Sequence, residues 1–90
     1  MALTRKELET LVYKYPTKRK EGFRPEEQED IIAKVKVHFP DINMKKYDDA
    51  MMGNTCMMDG DGKFIIYHCD VFNALNCAID NRDLTLDEWD

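Results

Sequence analysis

The chain has 90 residues, 43% of them hydrophobic and 34% charged, with a formal net charge of -5. That composition supplies one core burying roughly 60–65% of the unfolded surface, with no room for a second domain, and it lies outside the disorder-prone regime. No run of eighteen apolar residues occurs, the opening MALTRKELETL has no signal-peptide pattern, and three cysteines are an odd number for a disulfide framework, so nothing suggests a membrane span, export or a disulfide scaffold, and a cytoplasmic protein is expected.

In chain order, Thr4 followed by Glu7 reads as a capping box, with Leu3 and Leu8 placed for a hydrophobic staple. Leu8, Leu11, Val12 and Tyr15 then form an apolar stripe at helical spacing, and Pro16 ends it. A loop from Pro16 to Arg24 follows, with Gly22 as its flexible point and Phe23 as an apolar anchor. Pro25 suits the first turn of a second helix, where Glu26, Glu27, Glu29 and Asp30 lie near the positive end of its dipole. Ile31, Ile32 and Val35 give that helix a buried side, and Phe39 and Pro40 close it.

The stretch from Asp41 to Ala50 reads equally as a turn of helix or as an irregular approach to a strand. Next, AMMGNTCMMDGDGKFIIYHCD has the pattern of a β-hairpin around Asp59 to Gly62, because paired Asp-Gly units suit the positive backbone angles of tight turns. That loop sets Cys56 opposite Ile65, with Met52, Met58, Tyr67 and Cys69 on their face and Met51, Met57, Phe64, Ile66 and His68 on the other. Both faces are apolar, so one needs a cover beyond this chain's helices: a partner, or a second copy in a homodimer. Asp70 is placed to cap a third helix from Val71 to Asn81, whose apolar face is Val71, Phe72, Leu75, Ala78 and Ile79. The tail RDLTLDEWD is an extra strand or a docked segment. The expected fold is a small single-domain α+β protein: two N-terminal helices, a β-hairpin, then a C-terminal helix with a short acidic tail.

Motifs that carry chemistry fail on spacing. If Gly62 is placed sixth in an EF-hand calcium loop, Met57 and His68 fall at the first and twelfth ligand positions; with Glu88 twelfth, Cys77 and Arg82 fall at the first and sixth. Cys56, His68, Cys69 and Cys77 lack the close cysteine pairs of structural zinc sites, and as strand residues His68 and Cys69 would face opposite ways. The chain contains no serine, which excludes a Ser-His-Asp triad, and no phosphate-cradling glycine pattern occurs. No catalytic residue, metal ligand or cofactor is expected.

What remains is charge. Residues 1–46 hold eleven Lys and Arg against eight Asp and Glu, while residues 47–90 hold two against ten. The acidic half nominates a partner-binding face of Asp48, Asp49, Asp59, Asp61, Asp80, Asp83, Asp87 and Glu88, with Trp89 as an aromatic anchor. The basic loop nominates an alternative: anion binding by Lys18, Arg19, Lys20 and Arg24, with Tyr15 or Phe23 stacking on bases. Direct nucleic-acid binding is the weaker of the two, because the domain as a whole is acidic.

In size, acidity and lack of catalytic groups the chain is similar to small phage-encoded anti-defence proteins, including anti-CRISPR inhibitors and nucleic-acid mimics. That resemblance of profile implies a stoichiometric inhibitor of one protein in a defence or nucleic-acid-processing machine. The expected partner is a basic protein of that kind, met by carboxylates standing where phosphates would.

Overall fold

Thr4 opens the first helix as its sequence predicts. In the computed structural model, which describes residues 3–16, 22–52, 57–58 and 64–83, the Thr4 hydroxyl accepts the Glu7 N–H at 3.1 Å and the Glu7 carboxylate accepts the Thr4 N–H at 2.9 Å. Helix α1 (Arg5–Tyr13) turns Leu8 and Val12 wholly inward, with Leu11 and Tyr15 packed at the core's edge. Pro25 takes the first position of α2 (Pro25–His38), and the Glu27 carboxylate holds the Arg24 N–H at 2.8 Å. Ile31 and Val35 are fully buried from this helix, and Phe39 ends it by donating its N–H to Val35.

The ambiguous stretch is helical: α3 (Met44–Met52). Asn43 starts it, its side-chain carbonyl accepting the Lys45 and Lys46 N–H groups at 3.1 and 3.3 Å, which is N-cap geometry. Tyr47 and Ala50 are buried and Met44 and Met51 are partly so, at the spacing of one helical face. Met51 and Met52, expected in the first hairpin strand, therefore belong to α3.

Three short strands meet antiparallel in the order β1, β3, β2: β1 (Gly22–Phe23), β2 (Met57–Met58) and β3 (Phe64–Tyr67). Met57 pairs with Ile65 and Met58 with Phe64, one residue away from the expected pairing of Cys56 with Ile65, and five residues rather than four separate the strands. The turn alone does not decide this register, because β3 is also held from its other side by Phe23 opposite Ile66. Ile65 and Ile66 point to opposite faces, yet both are buried within the chain. At Ile65 and Ile66, therefore, the chain itself covers both faces of β3.

Gly22 departs from its expected role as a flexible point. It pairs with Tyr67, and a Cβ built on it would lie 2.2 Å from the Ile66 carbonyl oxygen. Close backbone approach, not loop flexibility, requires glycine here.

The last helix, α4 (His68–Asp80), begins three residues earlier than expected, directly from β3. His68 and Cys69 are thus helical, and Asp70 sits buried in the first turn rather than capping it. There its carboxylate faces the positive end of the helix dipole. Val71, Ala74, Leu75, Cys77 and Ala78 are all buried, so α4 is the central element, packed against α3, α1 and β3. It ends with Asn81 in the left-handed conformation at φ 54°, the Arg82 N–H reaching the Cys77 carbonyl and the Asn81 N–H the Ala78 carbonyl. This is the paired hydrogen bonding of a Schellman stop. Among the described residues no helix is long and apolar enough to cross a membrane.

Two substitutions test this architecture by chemical denaturation. Gly22→Ala must displace backbone and is expected to cost about 1–3 kcal/mol. Asn43→Ala removes the α3 cap and is expected to cost about 1–2 kcal/mol. A wild-type midpoint in either variant contradicts the corresponding contact.

Candidate functional site

The two ends of the basic loop are fastened to each other. Tyr15 and Phe23 meet edge to face with ring centroids 5.6 Å apart. Phe23 is fully buried and its ring lies 4.3 Å from that of His68, so it is a core residue with no face to offer a base. Tyr15 is committed as well. Its hydroxyl donates to Asp30 at 2.7 Å, and the Lys34 ammonium lies 5.1 Å from its ring centre and 3.1 Å from the same carboxylate. Both stacking candidates of the anion-binding reading are thereby used inside the protein. Lys18, Arg19 and Lys20 lie outside the described residues. Arg24 is half-buried directly before α2, its carbonyl accepting the Glu27 and Gln28 N–H groups at 3.0 Å each.

The acidic candidates separate into two kinds. Asp80 pairs with Arg5 of α1 and lies 3.5 Å from Arg82, while Arg5 also donates to Asn76 at 2.6 Å. Asp83 accepts from Lys46 of α3 at 2.8 Å. The Lys46 ammonium holds the Asp83 carboxyl below the usual carboxylate range, and Asp83 in turn raises the lysine. Cations from the basic half thus neutralise acids of the other half. Asp48 and Asp49 differ: both are exposed on α3, and among the described residues neither has a cation within ion-pair distance, though the charge of Asp49 also acts on the Lys46 ammonium. Asp59, Asp61, Asp87, Glu88 and Trp89 lie outside the described residues.

A further acid, Asp41, was not singled out from the sequence. It is exposed at the corner between α2 and α3, where His38, Phe39, Pro40, Asp41, Ile42 and Ile79 line a cleft of about 250 Å³. The signal was present in HFPDI, an apolar pair flanking Pro40 and Asp41 where one helix stops and another begins. What the sequence did not show is that Ile79 of α4 joins them in lining the cleft.

Of the cysteine and histidine candidates, Cys56 lies outside the described residues. Cys77 is fully buried and takes a hydrogen bond from Arg82 at 3.4 Å. Cys69 is half-buried, its thiol 3.8 Å from the Asp70 carboxylate. The His68 ring packs against those of Phe23 and Tyr13. Among the described residues no three His, Cys, Asp or Glu side chains are grouped to hold a metal ion. No protein-family model matches the chain, and no curated protein or solved structure is significantly similar to it.

The clamp at the loop's root has a pH signature. Hydrogen bonding to Asp30, aided by partial desolvation, pushes the Tyr15 hydroxyl up to about 12, and the same bond holds the Asp30 carboxyl below its ordinary range. The folded phenol keeps its proton longer than the unfolded one, which titrates near ~10. The contribution of Tyr15 is therefore fully present below about pH 10 and is lost as pH rises through the folded value. That of Asp30 is present above the ordinary carboxylate range and is lost on acidification. Ultraviolet titration should find one tyrosine ionising near 12, and Asp30→Asn should return it toward 10. An unchanged tyrosine titration in that variant would disprove the clamp.

Proposed function

We propose that this chain is a non-enzymatic protein-binding module, an acidic inhibitor that engages a basic nucleic-acid-handling protein through the exposed flank of α3. The observation that carries this reading is the adjacent pair Asp48 and Asp49, solvent-facing and without an ion-pair partner among the described residues, while Asp80 and Asp83 are neutralised from within. Unpaired carboxylates on a rigid element steer a basic partner and align it on arrival. The rigidity of α3 supports the reading. Its start is capped by Asn43, and its buried face is tied to α2 by a hydrogen bond from the Tyr47 hydroxyl to Gln28. Anion binding through the basic loop is the weaker alternative, since Tyr15 and Phe23 are engaged in the fold.

The test is a tagged capture from nuclease-treated host lysate at low and high salt, comparing the wild type with a variant carrying Asp48→Asn and Asp49→Asn. Both positions are exposed, so stability should stay within about 0.5 kcal/mol of wild type. The expected outcome is one basic protein, released by salt, whose recovery falls in the variant and whose salt dependence flattens. Undiminished recovery in a folded variant would remove the acidic flank from the mechanism. Recovery of nucleic acid alone, from lysate not treated with nuclease, would transfer the function to the basic loop.

A further inference from the structure

The cleft at the α2–α3 corner brings together apolar side chains and a carboxylate. Part of its lining is apolar: Phe39, Ile42 and Ile79 all pack against the edge of the core, and Ile79 comes from α4. Its mouth carries a carboxylate, Asp41, which is exposed and has no cation within ion-pair distance among the described residues. His38 also lines the cleft, and Glu7 of α1 is near enough to interact with it electrostatically.

Size narrows the occupant. At about 250 Å³ the cleft is smaller than the roughly 300–1,000 Å³ of a small-molecule or cofactor site. It matches a single long side chain. A side chain with an apolar stem and a cationic head satisfies both at once, the stem covering the apolar side chains and the head meeting the carboxylate.

We propose that this cleft seats one arginine side chain of the basic partner, its methylene stem against Phe39, Ile42 and Ile79 and its guanidinium on Asp41. Arginine fits better than lysine because a guanidinium is less strongly hydrated, stacks on an aromatic wall such as Phe39, and meets a carboxylate through a planar fork. The proposal rests on the reading of the chain as a binder of basic proteins and adds to it a specific anchor. Asp48 and Asp49 would then supply steering, while the cleft supplies the fixed contact.

The probe is the blocked tripeptide acetyl-Gly-Arg-Gly-amide, titrated into the full chain and followed by amide chemical shifts. Saturable shifts are expected at Phe39, Ile42 and Ile79. Asp41→Asn, a substitution on an exposed turn, should weaken them about fivefold at low salt, the upper end for an exposed ion pair. The citrulline analogue, neutral and nearly the same shape, should not saturate. Equal binding by the citrulline peptide, full binding by Asp41→Asn, or no saturable shifts would overturn the anchor. Equal affinity for the lysine peptide would overturn the choice of arginine. Saturable shifts confined to the Asp48 and Asp49 flank would overturn the cleft while leaving the acidic-flank reading standing. Cleft shifts as expected, together with undiminished partner capture by the Asp48→Asn, Asp49→Asn variant, would keep the cleft and overturn that reading.

Discussion

Asn43 holds two helices in place with one side chain and one peptide group. Its side-chain carbonyl caps α3, its side-chain amide donates to Asn81 at 2.7 Å, and its backbone N–H donates to the Ala78 carbonyl at 3.1 Å. The start of α3 is thereby fastened to the end of α4. The consequences spread outward from this joint. Ile79 closes the cleft beside Ile42, and the chain leaving α4 brings Asp83 to Lys46. The acidic flank of α3 is presented from a fixed base. A capping residue usually satisfies orphan N–H groups of one helix alone; here it also sets how two helices cross.

Burial of α4 is what this joint secures. Its buried set, Asp70, Val71, Ala74, Leu75, Cys77 and Ala78, spans more than one narrow stripe, so no single neighbour can cover it. α1 covers one flank and α3 another, while β3 runs directly into its first turn. This explains why a ninety-residue chain uses a helix where its sequence is ambiguous: without α3, part of the buried surface of α4 would lack a cover, and each buried aliphatic side chain is worth about 1.5–3 kcal/mol.

Charge shows a similar difference between order along the chain and arrangement in space. The sequence places eleven of its thirteen Lys and Arg in the first half while its acids are spread over both, eight and ten, which on its own implies a mixed first half and an acidic second. Folding brings Arg5 to Asp80 and Lys46 to Asp83, so two of the second half's described acids meet cations of the first. Exposed pairs of this kind contribute little stability, but they decide which carboxylates stay available. Among the exposed described acids, Asp48 and Asp49 of the second half are left without such pairs, as are Glu9, Glu26, Glu29 and Asp41 of the first, but only Asp48 and Asp49 are adjacent along one helix.

Local signals carried much of the fold. Thr4 with Glu7, Pro25 at the head of α2, the stripes of α1, α2 and α4, and an antiparallel pairing before α4 all follow from side-chain spacing and capping, which act over three or four residues and can be read without the rest of the chain. What lay beyond local reading was decided by contacts between distant segments. The register of β3 answers to Phe23 as well as to its own turn. Gly22 is required by the Ile66 carbonyl forty-four positions away, Asn43 by Ala78 and Asn81, and the cleft needs Ile79. The sequence by itself determined which segments could be helical and how the charges are ordered along the chain. Tertiary packing alone decided which carboxylates remain unpaired and which apolar side chains stand beside them, because burial and ion pairing depend on distances in space that sequence separation does not encode.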